Sequence, residues 1–125
     1  MLHNLTPIEL DHLKVSKFDF FLTGSRFFKR TAQEDTDWDF YTQDCAEAQM
    51  YLQQNGYVVS RTYEDLFTVL ILTKKTPWIK IDVQLVKDVE LKTRAQEMLT
   101  PFINYVSKEY HGVLWDMAFS WIKSN

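Results

Sequence analysis

The stretch TGSRFFKRTAQEDTDWDF, Thr23 to Phe40, sets a Gly-Ser step ahead of a run of carboxylates, in a chain with only three glycines. Alternate side chains of an extended strand share a face, so Asp37 and Asp39 project together while Trp38 and Phe40 project from the other side. Downstream, WIKIDVQLV puts Ile79, Ile81, Val83 and Leu85 on one face and Trp78, Lys80, Asp82, Gln84 and Val86 on the opposite one. If this strand lies beside the first in suitable register, Asp82 joins Asp37 and Asp39. Three anions held so close raise one another's pKa values and strain the fold unless a cation sits among them. The cluster therefore anticipates a metal, and all-oxygen ligands of this kind suit magnesium or manganese. Gly24 lets the backbone approach a bulky anion, and Ser25 adds a hydroxyl and an N–H. A helix opening near Arg26 points its free N–H groups to the same place, where Arg26 supplies a charge-assisted contact. A metal beside a phosphate cradle is what phosphoryl or nucleotidyl transfer needs, since catalysis there is mostly positioning and neutralisation of charge.

These residues need elements to hold them. In TPIELDHLKV, Thr6 caps, Pro7 takes the first helical position and Glu9 completes a capping box, which predicts a first helix to about Val15. FDFFLTG predicts a buried strand over 18–22 that Gly24 ends, followed by a short helix from Arg26. WDFYTQ is the second strand, and DCAEAQMYLQQNG a helix capped at Asp44 and closed at Gly56. YVVSRTY, LFTVLILT and WIKIDVQLV are three more strands. The middle one is apolar enough to be covered on both faces, and KKTP forms the turn before the last. From Asp88 onward the pattern is helical, with Pro101 and Gly112 as interruptions. The predicted order is α, β, α, β, α, β, β, β, then helices: a single α/β (α+β) domain over 1–125, with its core at 18–86 and C-terminal helices at 88–123.

An apolar strand ending in Gly-Ser, a spacer of about ten residues, Asp-apolar-Asp, and a third carboxylate flanked by apolar residues on a later strand form one pattern. LTGSR, DTDWDF and IKIDVQLV in this order resemble the signature of the nucleotidyltransferase superfamily. That superfamily includes DNA polymerase beta, tRNA CCA-adding enzymes and small stand-alone nucleotidyltransferases. The resemblance implies a mixed sheet flanked by helices. It implies that Asp37 and Asp39 bind the nucleotide-associated and catalytic metals, two magnesium or manganese ions. Asp82 would hold the catalytic metal and help activate an acceptor hydroxyl. Gly24 and Ser25 would grip the triphosphate of an NTP, with Arg26 at the basic position that often follows. The implied reaction moves a nucleoside monophosphate to a hydroxyl on a protein, a small molecule or an RNA end. Trp38 departs from the aliphatic residue usual between the two aspartates. The chain also lacks the extra domains with which polymerases and CCA-adding enzymes hold nucleic acid, so it is most similar to the small stand-alone members.

Composition narrows the rest. At 125 residues, 46% hydrophobic and 15% aromatic, the chain has ample core for one domain. A net charge of −3 gives no general attraction to polyphosphate, so extended binding to long nucleic acid is not expected. No segment reads as a signal peptide or membrane span, and the single cysteine, Cys45, forms no internal disulfide; a cytoplasmic setting is the expectation. DTDWD is not a calcium loop, because Phe40 and Ala46 stand where that loop needs glycine and glutamate. The three histidines lack metal-site spacing. In VLWDMAFSWIK, residues Leu114, Met117, Ala118, Trp121 and Ile122 share a helical stripe. Such a stripe is core or a docking face, which keeps a second reading open: a non-catalytic binding module of the same fold, acting as an antitoxin-like or inhibitory partner through its C-terminal helix.

Overall fold

In the computed structural model, residues 7–29, 37–63 and 67–124 are described. Five strands form one mixed sheet in the order β1-β2-β5-β4-β3, with β1 at Phe21–Thr23, β2 at Asp37–Gln43, β3 at Val58–Thr62, β4 at Thr68–Lys75 and β5 at Lys80–Val86. The β2/β5 pair is parallel and the other pairs are antiparallel. The helices are α1 (Asp11–Lys14, preceded by a 3-10 turn at Ile8–Leu10), α2 (Gly24–Phe27), α3 (Ala46–Gln54), α4 (Val89–Leu99) and α5 (His111–Ser124). The element order is the one the sequence predicts, and the mixed sheet with a helical C-terminus follows.

Side-chain alternation splits the sheet into two faces. Phe40, Leu72, Ile81, Val83 and Leu85 pack in one cluster with Leu10 and Leu13 before and within α1 and with Leu52 of α3. The opposite face carries Asp37, Asp39, Asp82 and Gln84, and α4 crosses it from Gln84 of β5 over Tyr41 of β2 to Thr23 of β1. There the Tyr41 hydroxyl shares a 2.6 Å hydrogen bond with Thr93, and Lys92 Nζ donates to Gln84 Oε1 at 3.0 Å. Helices α4 and α5 form a second cluster, in which Ala95, Leu99, Ala118, Phe119 and Ile122 meet Phe28. Helices thus cover part of this face, and Asp37 at its other end is exposed.

Several boundaries differ from expectation for identifiable reasons. The Thr6 cap lies outside the described residues; among residues 7–15 Ile8 and Val15 are exposed, and only Leu10 and Leu13 are buried. The first strand is Phe21–Thr23 rather than 18–22, because pairing to β2 runs only from Phe21↔Tyr41 to Thr23↔Asp39. Phe20 upstream is core instead. Helix α2 opens at Gly24, not Arg26. Asp44 does not cap α3. Its N–H bonds Val86 O at 2.8 Å, extending the β2/β5 ladder, and Cys45 becomes the cap as its Sγ accepts from Ala48 N. The turn between β4 and β5 is shifted to Thr76–Ile79, closed by Thr76 N–H on Ile79 O, so β5 starts at Lys80 rather than Trp78. Gly112 falls in the first turn of α5 and interrupts nothing, and His111 is the first residue of that helix. Its ring Nε2 lies 2.9 and 3.1 Å from the carbonyl oxygens of Val106 and Ile103.

Candidate functional site

The register decides where the carboxylates meet. Along the parallel β2/β5 ladder Asp39 pairs with Asp82, Asp37 with Lys80 and Tyr41 with Gln84. Across the other ladder Asp39 faces Thr23, the last residue of β1. Asp39 and Asp82 are therefore direct neighbours on one face, because two β-rich runs with matched alternation pair without a slip. Asp37 lies one step of two residues up the same face and is exposed.

Gly24 follows Thr23 with φ +70, in the left-handed region, and a Cβ placed there would lie 2.6 Å from Asp39 Oδ2. Any side chain would collide with that carboxylate, so glycine is required twice over, by conformation and by space. Thr23 is buried, and its hydroxyl donates to Gln96 Oε1 at 2.5 Å. Gln96 Nε2 in turn donates to Leu22 O at 3.1 Å. This α4 side chain anchors the end of β1 from which the Gly-Ser step departs.

Asp82 is held from both sides. Thr73 donates to its Oδ1 at 2.5 Å, and Lys80 Nζ lies 3.7 Å from its Oδ2. The Thr73 hydroxyl also lies 2.8 Å from Ser60 Oγ, so a polar chain runs from β3 through β4 to β5. Thr73, Ser60 and Gln96 were missed by the sequence reading. The only available signal was a threonine at an alternating position of an otherwise apolar run. Arg26 Nε donates to Asp37 O at 2.8 Å, and its guanidinium stacks 3.9 Å from the centre of the Trp38 ring. Those contacts fasten α2 to β2, and the large residue between the two aspartates thereby gains a partner. Ser25 follows Gly24 in the same short helix.

Among the described residues no three His, Cys, Asp or Glu side chains converge as a group able to hold a metal ion. The donor set is instead two carboxylates in register, with a third further along. That set fits magnesium, which is commonly held by one or two carboxylates while water and substrate phosphate complete its shell. Two further titratable side chains, Tyr41 and His12, are tied into the fold by hydrogen bonds. Burial raises the Tyr41 hydroxyl pKa, partly offset by Thr93. His12, on the opposite side of the sheet, has its pKa lowered by burial and by Lys74, with Nε2 2.7 Å from the Tyr57 hydroxyl.

The C-terminal stripe divides. Ala118 and Ile122 are buried, whereas Met117 and Trp121 are 62% and 58% exposed. With Met98, Phe102 and Leu114 the exposed pair lines an apolar groove of about 420 Å³ between α4 and α5. No helix among the described residues is long and apolar enough to cross a membrane. Comparison with family profiles, with curated proteins and with solved structures finds no match to this chain.

Proposed function

We propose that this chain is a metal-dependent nucleotidyltransferase of the small stand-alone kind, moving a nucleoside monophosphate from an NTP to a hydroxyl acceptor. The observation that carries this reading is the pairing of Asp39 with Asp82 across parallel strands, with the Gly24 backbone pressed against the Asp39 carboxylate. Sequence order alone does not require the Gly-Ser step that opens α2 and the two acids on β2 and β5 to meet.

In this reading the backbone at Gly24 and Ser25 receives the triphosphate where no side chain intervenes. Asp39 and Asp82 face the α-phosphate. A bound magnesium ion would supply neutralisation of phosphate charge, with Asp39, Asp82 and the adjacent Asp37 as the residues to hold it. The acceptor oxygen attacks the α-phosphorus and a new P–O bond forms. The bond to the bridging oxygen breaks in line, pyrophosphate leaves, and the acceptor's proton passes to the Asp82 carboxylate. Thr73 and Lys80 keep that carboxylate aimed. Arg26, stacked on Trp38, positions the Gly-Ser segment and reaches phosphate only at its margin. The acceptor is a protein, a small molecule or an RNA end. A transferase of this kind belongs in the cytoplasm, where NTP and magnesium are plentiful.

The test is a thermal melt with each of the four NTPs, with and without magnesium, on wild type and Asp39→Asn. A ligand at about a hundred times its dissociation constant adds ~2.7 kcal/mol, several degrees for a chain of this size. A magnesium-dependent shift absent from the variant is expected, as is loss of pyrophosphate release. A full shift in Asp39→Asn overturns the assignment. The exposed Met117 and Trp121 favour a second reading, a binding module that does not catalyse. No NTP shift in wild type, together with a protein co-purifying in equal amount, selects that reading instead.

A further inference from the structure

A cleft of about 340 Å³ opens on the aspartate-bearing face, between the β4/β5 strands and helices α4 and α5, with Thr68, Gln84, Lys92, Trp115 and Asp116 in its lining. The volume lies in the range of small-molecule sites. Its position relative to the acids follows from the strands. Gln84 stands two residues beyond Asp82 on the same face of β5, a step of about 7 Å. Gly24 approaches Asp39 from the β1 side, so the Asp39/Asp82 pair lies between the Gly-Ser step and the cleft.

The lining is chemically specific. Lys92 is 8% exposed, with its ammonium 4.3 Å from the centre of the Trp115 ring and donating to Gln84 Oε1 at 3.0 Å. An ammonium only donates, so Gln84 Oε1 must face Lys92 and the amide cannot flip. The Gln84 NH2 is left as a donor of fixed direction. Asp116 on α5 adds an exposed carboxylate, an acceptor for which the described residues provide no ion pair. A fixed donor and an acceptor beside an aromatic wall match the edge of a heterocyclic base, which carries acceptors and N–H donors side by side.

We infer that this cleft holds the nucleobase of the donor NTP, with Gln84 donating to the base edge and Asp116 accepting from it. The inference rests on the nucleotidyltransferase reading. A triphosphate against Gly24 and Ser25 brings its α-phosphate over Asp39 and Asp82, and one ribose then spans the remaining step to the cleft. Gln84 and Asp116 would set which NTP is used, whereas the Gly-Ser step treats all four alike.

Calorimetric titration of wild type, Gln84→Glu and Asp116→Asn with each NTP and with inorganic tripolyphosphate, all in magnesium, tests this. Gln84→Glu keeps an oxygen for Lys92 while turning the free donor into an acceptor, and Asp116→Asn changes an exposed position, so both variants should fold. The four NTPs share one triphosphate, so ratios of their affinities cancel any change in charge at the phosphates. Wild type is expected to prefer one NTP over the others, and over tripolyphosphate, by about tenfold. Each variant is expected to change that ratio at least fivefold. Unchanged ratios in both variants, or NTPs binding no tighter than tripolyphosphate, overturn the base site while leaving the phosphate site standing. No binding of NTP or tripolyphosphate to wild type overturns the underlying reading, and the base site with it.

Discussion

At the scale of single residues, Gly24 and Thr73 carry the most testable weight. Gly24→Ala forces a Cβ into the left-handed region and onto Asp39 Oδ2. Backbone strain of this type costs about 1–3 kcal/mol. A drop of several degrees in Tm is expected, along with loss of the magnesium-dependent NTP shift. In Gly24→Ala/Asp39→Ala part of the Tm loss should return, because the colliding carboxylate is gone and contacting residues are not additive. Thr73→Val removes the donor on Asp82 Oδ1. Residues that orient a metal-binding or proton-accepting carboxylate typically matter by roughly 10- to 100-fold. Turnover should fall by that order with little change in NTP affinity, and Thr73→Ser should restore it. A fall in NTP affinity alone, with the rate intact, would remove Thr73 from the aiming of Asp82. Gly24 was legible in the sequence because a rare glycine before a carboxylate run asks for a close approach. Thr73 was not, since its value comes from the neighbour that register assigns it.

At the scale of elements, the sheet edges and the first helix are fixed by side-chain ties that local pattern does not reveal. His12 joins α1 to Tyr57 just after α3, and its ring is favoured neutral in the fold because burial and Lys74 oppose the charged form. The folded pKa lies below the ordinary 6.5, so the unfolded chain binds the extra proton. Stability from this group is complete above about pH 6.5 and is lost as pH falls through the folded value. Wild type should therefore lose Tm more steeply than His12→Gln between pH 7.5 and 5, and parallel curves would exclude the effect. Elsewhere the sequence placed α3 and the start of the C-terminal helices well: Gly56, read as closing α3, has φ +92, and the helical pattern read from Asp88 onward begins as α4, where Asp88 accepts from Leu91 N. The α3 cap moved to Cys45 for a non-local reason, since the Asp44 N–H is committed to β5.

At the scale of the whole molecule, two clusters of buried side chains lie on opposite faces of one sheet. Stacking of Phe119 on Phe67 at 3.9 Å ties α5 to the residue entering β4, so the helical C-terminus and the sheet should unfold together. Urea denaturation followed by tryptophan fluorescence and by far-ultraviolet circular dichroism should give coincident transitions. Separate midpoints would mean that α4 and α5 form an independent unit. By itself the sequence determined the element order and the mixed α/β class, and it nominated the candidate set Gly24, Ser25, Arg26, Asp37, Asp39 and Asp82. Alternation and capping act over a few residues and can be read there. The tertiary structure alone decided that Asp39 and Asp82 are cross-strand neighbours, that Arg26 stacks on Trp38, and that a cleft with Gln84 and Lys92 opens beside the acids. Each of these depends on strand register and on where α4 and α5 dock, which arise from contacts between residues tens of positions apart.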